Sequence, residues 1–159
     1  MALETLTLTR EERIWLEAYQ KALKAQFADI IKDIIIFGSK ARGSSTEDSD
    51  LDVLVVIHEG DWKTKKSVAE PGYMLAIGTE VVPSLIVLTA EEWIYHQDYE
   101  APFWQTVTRD GIPVFHQNAE DFAVFDRIAK AFKDVDDLSA KIDQAIEESK
   151  TAHNRPDTL

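Results

Sequence analysis

Ile34-Ile35-Ile36-Phe37-Gly38-Ser39-Lys40-Ala41-Arg42-Gly43, followed by Ser49-Asp50-Leu51-Asp52-Val53, is the stretch that decides the fold of this chain. An apolar run ends in a glycine–serine turn, and a second apolar run, Leu51 to Ile57, opens with two aspartates. The connection between the runs, about a dozen residues, is too cramped for a full parallel crossover, so the two runs read as antiparallel strands. The end of the first strand then lies beside the start of the second, bringing Gly38-Ser39 close to Asp50 and Asp52. Leu51 to Ile57 is apolar on both faces, as expected of a central strand covered from both sides.

Side chains at i and i+2 of a strand point the same way, so Asp50 and Asp52 share a face. Two carboxylates held that close repel each other unless a cation sits between them. Hard oxygen ligands of this kind suit Mg²⁺, which commonly binds one or two carboxylates together with the phosphates of a substrate. Gly38 would let backbone approach a triphosphate, and Ser39 could add its hydroxyl to the amides at a helix start. Lys40 and Arg42 would contribute positive charge, Arg42 through two donors. With Ser49, these residues form the candidate nucleotide-binding set: Gly38, Ser39, Lys40, Arg42 and Ser49. The loop is not a Walker motif, because Gly-x-x-x-x-Gly-Lys-Ser/Thr does not occur. A Gly-Ser turn is usually only a turn, and Asp-x-Asp at a strand start is usually a solvated edge. Joined in this order between two strongly apolar runs, they point to a phosphate or metal site.

The rest of the chain supplies the frame. Thr9-Arg10-Glu11-Glu12 reads as a capping box, with a helix running to about Asp29. Ile30 to Phe37 is the first strand, and a short loop-helix from Gly38 to Asp48 leads to the second. Asp61 to Ala69 reads as a helix that Pro71-Gly72 breaks or kinks before Tyr73 to Ile77. Glu80 to Leu88 reads as a third strand, with Pro83 marking an edge or a bulge. Thr89 caps a helix to about Gln97, Pro102 starts another that stops before Gly111, and Ile112 to Phe115 forms a short last strand. Ala119 to about Lys150 reads as a long helix with Phe122, Phe125, Phe132, Val135, Leu138, Ile142 and Ile146 on one stripe. The implied organisation is an α+β domain over residues 1–118, a C-terminal helix over 119–150 that packs on the domain or on a partner, and a disordered polar tail over 151–159.

At 159 residues the chain can bury a sizeable core, and no apolar run approaches the length that spans a bilayer. The N-terminus lacks a basic start followed by an apolar core, so no secretion signal is expected. The absence of cysteine excludes disulfides and thiolate metal sites and fits a cytoplasmic protein. A formal net charge of -12 with no basic stripe argues against direct nucleic-acid binding, while a nucleotide carried with its own cation is compatible with it. The four histidines, His58, His96, His116 and His153, are scattered without metal-ligand spacing. Lys63, Lys65 and Lys66 read as a solvated helix face before any phosphate contact.

The pattern Gly-Ser, ten residues, Asp-x-Asp resembles the signature of the DNA polymerase β-type nucleotidyltransferase superfamily. The short length and the embedded Ala41-Arg42-Gly43 resemble its minimal nucleotidyltransferase branch. The resemblance covers Ile30 to Val87, and more loosely the chain to Phe115. It implies a polymerase β palm-like fold, with a mixed sheet flanked by helices, and transfer of AMP from ATP to an acceptor. By position, Ser39 would contact phosphate, and Asp50 and Asp52 would hold Mg²⁺. Members of this branch are often encoded beside a HEPN-type helical protein, in pairs resembling toxin–antitoxin systems. The resemblance thus implies a HEPN-type partner, and the stripe of the C-terminal helix fits contact with such a partner or a homodimer.

Active relatives carry a third carboxylate on a later strand as general base. Its expected position here reads Pro83-Ser84-Leu85, and serine cannot take that role. Glu80, four residues earlier with the same parity, is the candidate third catalytic carboxylate beside Asp50 and Asp52, provided the strand is shifted. The readings that follow are an adenylyltransferase acting on a protein, a catalytically weak relative that neutralises a partner by contact, and an adenylyltransferase of a small hydroxylated molecule.

Overall fold

The computed structural model describes residues 6–117 and 140–149. The chain divides into two units, Met1–Ala119 and Glu120–Leu159. The first contains α1 (Arg10–Phe27), β1 (Ile31–Phe37), α2 (Gly38–Arg42), β2 (Leu51–Ile57), α3 (Trp62–Ala76), β3 (Pro83–Thr89), α4 (Ala90–Asp98), α5 (Pro102–Asp110) and β4 (Ile112–His116). In the second, residues 140–149 are helical, with Ile142 and Ile146 about half exposed. The rest of the predicted C-terminal helix and the tail lie outside the described residues. Among the described residues, no helix is long and apolar enough to cross a membrane.

The four strands form one mixed sheet in the order β3-β2-β1-β4. β1 pairs antiparallel with both β2 and β4, whereas β2 and β3 run parallel. The apolar runs occupy the two central strands, and Leu51, Val53, Leu54, Val55 and Ile57 are fully buried. Alternation gives each strand two apolar faces. One face joins Ile34, Ile36, Leu51, Val53, Val55 and Ile57 to Trp15, Leu16, Tyr19 and Leu23 of α1 and Val68 of α3. On the other, Phe37 meets Phe103 of α5 edge-on, with ring centroids 5.5 Å apart. Trp104 and Val107 of α5 are buried.

α1 begins with the predicted reciprocal cap: Glu12 N–H donates to Thr9 Oγ1 at 3.1 Å, and Thr9 N–H donates to Glu12 Oε2 at 2.8 Å. A second capping box, Thr89 with Glu92, starts α4. Of the expected break or kink at Pro71-Gly72, the break is corrected, because α3 runs through both residues to Ala76. Pro71 lacks the N–H that would close a helical bond, yet α1 braces this turn with side-chain donors. Tyr19 Oη donates to Val68 O at 2.9 Å and Trp15 Nε1 to Gly72 O at 2.8 Å. Gly72 has no Cβ because Leu85 and Tyr19 occupy that space.

β3 starts at Pro83 rather than Glu80, and it is an edge strand without a bulge. Proline at its head removes one N–H from the outer edge of the sheet where the strand begins. Leu85 N–H donates to Tyr73 Oη at 3.4 Å, and Thr89 N–H donates to Glu92 Oε2 at 2.8 Å.

Tyr19 is fully buried, and burial raises its phenol well above the ordinary range, so it acts as a neutral donor. Tyr19→Phe is expected to cost about 1 kcal/mol, read as a lower urea midpoint with an unchanged slope.

Candidate functional site

The register of β1 against β2 builds the site. Phe37 pairs with Asp52 and Ile36 with Val53, so the chain leaving β1 turns directly over the start of β2. The turn is Gly38, with φ +74°, a backbone conformation that side-chain-bearing residues rarely adopt. A Cβ built on Gly38 would overlap the Asp52 carboxylate. Glycine is therefore required here twice, by its own backbone angle and by the aspartate beside it. The sequence pattern carries no sign of this second reason, because it links residues 14 positions apart.

Asp52 is half-buried and Asp50 exposed. Burial lifts the Asp52 carboxyl above the ordinary carboxylate range. The Ser84 hydroxyl draws it back down, the Asp50 charge lifts it again, and Arg42 opposes that lift. Three groups discussed above, Ser84, Asp50 and Arg42, thus act on one carboxylate. Ser84 is directly opposite Asp52 in the parallel ladder. The structure thus brings together Gly38, Asp50, Asp52, Arg42 and Ser84 at one end of the sheet.

Arg42 is partly exposed, and its Nη1 lies 3.4 Å from Asp110 Oδ2. Asp110 is bound by Arg109 at 2.8 Å, and this hydrogen bond is the main cause that holds its carboxyl below the ordinary range. Asp110 at the end of α5 is a neighbour that sequence reasoning missed, since nothing local marks it. Ser49 closes the loop before Asp50: its Oγ accepts from Thr46 N–H at 2.8 Å, and its N–H donates to Thr46 O at 3.1 Å. Ser39 stands in the first turn of α2, where its carbonyl accepts from Ser44 N–H at 3.1 Å.

Two expected residues are placed elsewhere. Lys40 was expected to face phosphate, but its side chain is buried and its ammonium meets Glu12 Oε1 at 3.1 Å. A helical turn cannot present residues 39, 40 and 42 on one side, and Lys40 is the one directed inward. Glu80 was expected to reach the aspartates if the third strand were shifted. The observed register pairs Asp52 with Ser84, leaving Glu80 before the strand, with its N–H donating to Glu11 Oε2 at 3.0 Å.

The residues left at the site fit a divalent cation of the hard type. Two carboxylates repel each other there, with a hydroxyl alongside, and all the donors are oxygen. Among the described residues, no group of three or more His, Cys, Asp or Glu comes together as a metal centre, so phosphate oxygens would have to complete the shell. Among the described histidines, His116 meets Asp33 across β1 and β4, and exposed His58 meets Gln117. In the basic cluster, Lys65 pairs with Glu92 at 2.7 Å, and Lys63 lies over the Trp62 ring.

Residues 16–151 match the family model described as Nucleotidyltransferase domain. A protein of Methanocaldococcus jannaschii named "Putative protein adenylyltransferase" is 49% identical over 41 residues, 26% of this chain and 41% of that protein. The chain thus matches well under two thirds of that relative's length. Among solved structures, the chain is similar to a toxin–antitoxin with AMP-PNP (TM-score 0.48, 16% identity, 89% of this chain and 99% of that one). It is also similar to a tri-AMPylated Shewanella oneidensis HEPN toxin in complex with MNT antitoxin (TM-score 0.43, 14% identity, 86% of this chain and 98% of that one). Neither structural likeness carries an argument about function.

Gly38→Ala should destabilise the fold more than Gly78→Ala, whose φ is +77° but whose missing Cβ would meet nothing. The Gly78 change reads backbone strain alone, about 1–2 kcal/mol, and thermal melts of the two variants isolate the added clash with Asp52. Asp52→Asn tests the charge itself. A carboxyl whose folded value is raised costs stability once it ionises, above its unfolded value, and that cost vanishes as pH falls. Without metal, Asp52→Asn should melt above the native chain at pH 7, and the gap should close toward pH 4.

Proposed function

The chain belongs to the nucleotidyltransferase domain family, and on that premise we propose that it transfers AMP from ATP to a hydroxyl of a protein. The observation that carries this reading is the Phe37–Asp52 pairing, which sets the glycine–serine turn against two aspartates at one sheet end. Asp50 and Asp52 would hold Mg²⁺, which when bound polarises the phosphate under attack and shields its developing charge. Ser39 and the turn's amides would bind the phosphates, and Arg42, turned from Asp110 toward the substrate, would add two donors. In the transfer, the acceptor oxygen forms a bond to the α-phosphorus as the bond to pyrophosphate breaks, and the acceptor proton leaves to solvent.

The choice of AMP is supported by the resemblance that the Gly-Ser, Asp-x-Asp pattern carries, and that of a protein acceptor by the resemblance to the minimal branch. The 41-residue identity to a relative named as a protein adenylyltransferase points the same way. A HEPN-type protein is the acceptor that the minimal-branch pattern favours, with the C-terminal helix as its contact.

One observation favours a second reading. Ser84 faces Asp52 where a third carboxylate would activate the acceptor. A chain without that base can retain nucleotide binding and act on its partner by contact. Ser84→Asp separates the two readings, since it should raise transfer if the missing base limits the rate.

The first test is calorimetric titration of a non-hydrolysable ATP analogue with Mg²⁺ into the native chain and Asp50→Asn. Binding that needs both the metal and the aspartate is expected, with affinity falling at least about ten-fold in the variant. No heat at millimolar nucleotide would sink the enzymatic reading.

A further inference from the structure

We infer that Glu12 and Lys40 are positioning residues, whose buried ion pair ties the start of α1 to α2 and holds the glycine–serine turn against Asp52. The inference rests on the nucleotide-site reading above. α2 has five residues, too few for a helix to keep its shape through its own hydrogen bonds. Something outside must hold it. Lys40 is its central residue, and the Lys40 and Glu12 side chains are 4% and 7% exposed, with the ammonium 3.1 Å from Glu12 Oε1.

The Glu12 carboxylate is itself fixed. Its second oxygen accepts Thr9 N–H at 2.8 Å, so one side chain both completes the cap of an 18-residue helix and anchors the short one. The chain before α1 grips the same turn: Thr7 N–H and Thr7 Oγ1 both donate to Lys40 O, at 3.1 and 3.2 Å. Thr7 Oγ1 also lies 3.1 Å from Ser45 Oγ. On its other side, Gly38 abuts the Asp52 carboxylate on the central strand. The turn is thus clamped between the longest described helix and β2.

A buried ion pair is not needed to fill this space, since apolar side chains of similar volume pack at least as stably. What the pair adds is direction, because a charged hydrogen bond between fixed groups holds one geometry. Placement errors of about 1 Å at a reacting centre cost large factors in rate, so a short helix that carries phosphate donors gains from such a brace.

Hydrogen exchange of the full chain without nucleotide, and titration with the ATP analogue plus Mg²⁺, test this on three variants. These are Lys40→Arg, Lys40→Met and the double change Glu12→Gln with Lys40→Met. The double variant removes both charges and leaves no unpaired buried ion, so it folds even if the single change does not. Its amides over residues 38–44 should exchange at least about ten-fold faster while the sheet is unchanged. Its affinity for the analogue should fall about ten-fold or more, and Lys40→Arg should keep both near native. A folded double variant with native exchange at 38–44 and native affinity overturns the inference. If the native chain binds no analogue, the nucleotide reading falls, and exchange at residues 38–44 alone decides the brace.

Discussion

The site depends on one backbone pairing, Phe37 against Asp52 at the end of an antiparallel ladder. Because β1 and β2 run in opposite directions, the last residue of one meets the first residues of the other. A single turn then carries the chain over the carboxylates, which lie at residues 50 and 52. A parallel arrangement would have placed these groups at opposite ends of the sheet. The ladder is secured by burial on both faces, with Ile36, Val53, Leu54 and Val55 fully enclosed. A polar site at the rim of an apolar sheet has a rigid floor, and the charge of Asp52 is held there despite the cost of burial.

Much of this was legible in the sequence. The two apolar runs, their short connection and the spacing from Gly38 to Asp52 were sufficient to predict the antiparallel pair and the meeting of turn and aspartates. The capping residues Thr9 and Thr89 marked helix starts because the cap is a local interaction, complete within four residues. The α3 error has the opposite cause. Proline at 71 weakens a helix locally, but Trp15 and Tyr19, more than 48 residues away, supply donors to the carbonyls around it. No local signal could report them.

The same distinction separates the site residues. Asp52 and Gly38 could be placed from the strand and the turn, while Asp50 stands just before β2. Lys40 could not, because its direction depends on Glu12, a residue on another helix whose capping role hid its second partner. Glu80 was within parity of the expected position, yet the strand begins three residues later, at Pro83. Ser84 was named from the family resemblance, which put the third-carboxylate position at Pro83-Ser84-Leu85, and the parallel register sets it opposite Asp52.

The outer edge of β3 has a consequence for how this protein meets others. Leu51 N–H donates to Val82 O at 2.9 Å, which sets the alternation of the strand. Ser84, Ile86 and Leu88 turn their backbone groups toward β2, and Pro83, Leu85, Val87 and Thr89 turn theirs outward. Of the outward amides, proline has none, that of Leu85 is held by Tyr73, and that of Thr89 by Glu92. Among the described residues of this strand, the Val87 amide alone is left for a strand arriving alongside. This edge of the sheet therefore resists strand addition, the usual route to edge-to-edge aggregation. A second chain approaching this side must be recognised through side chains, not by zipping onto the backbone.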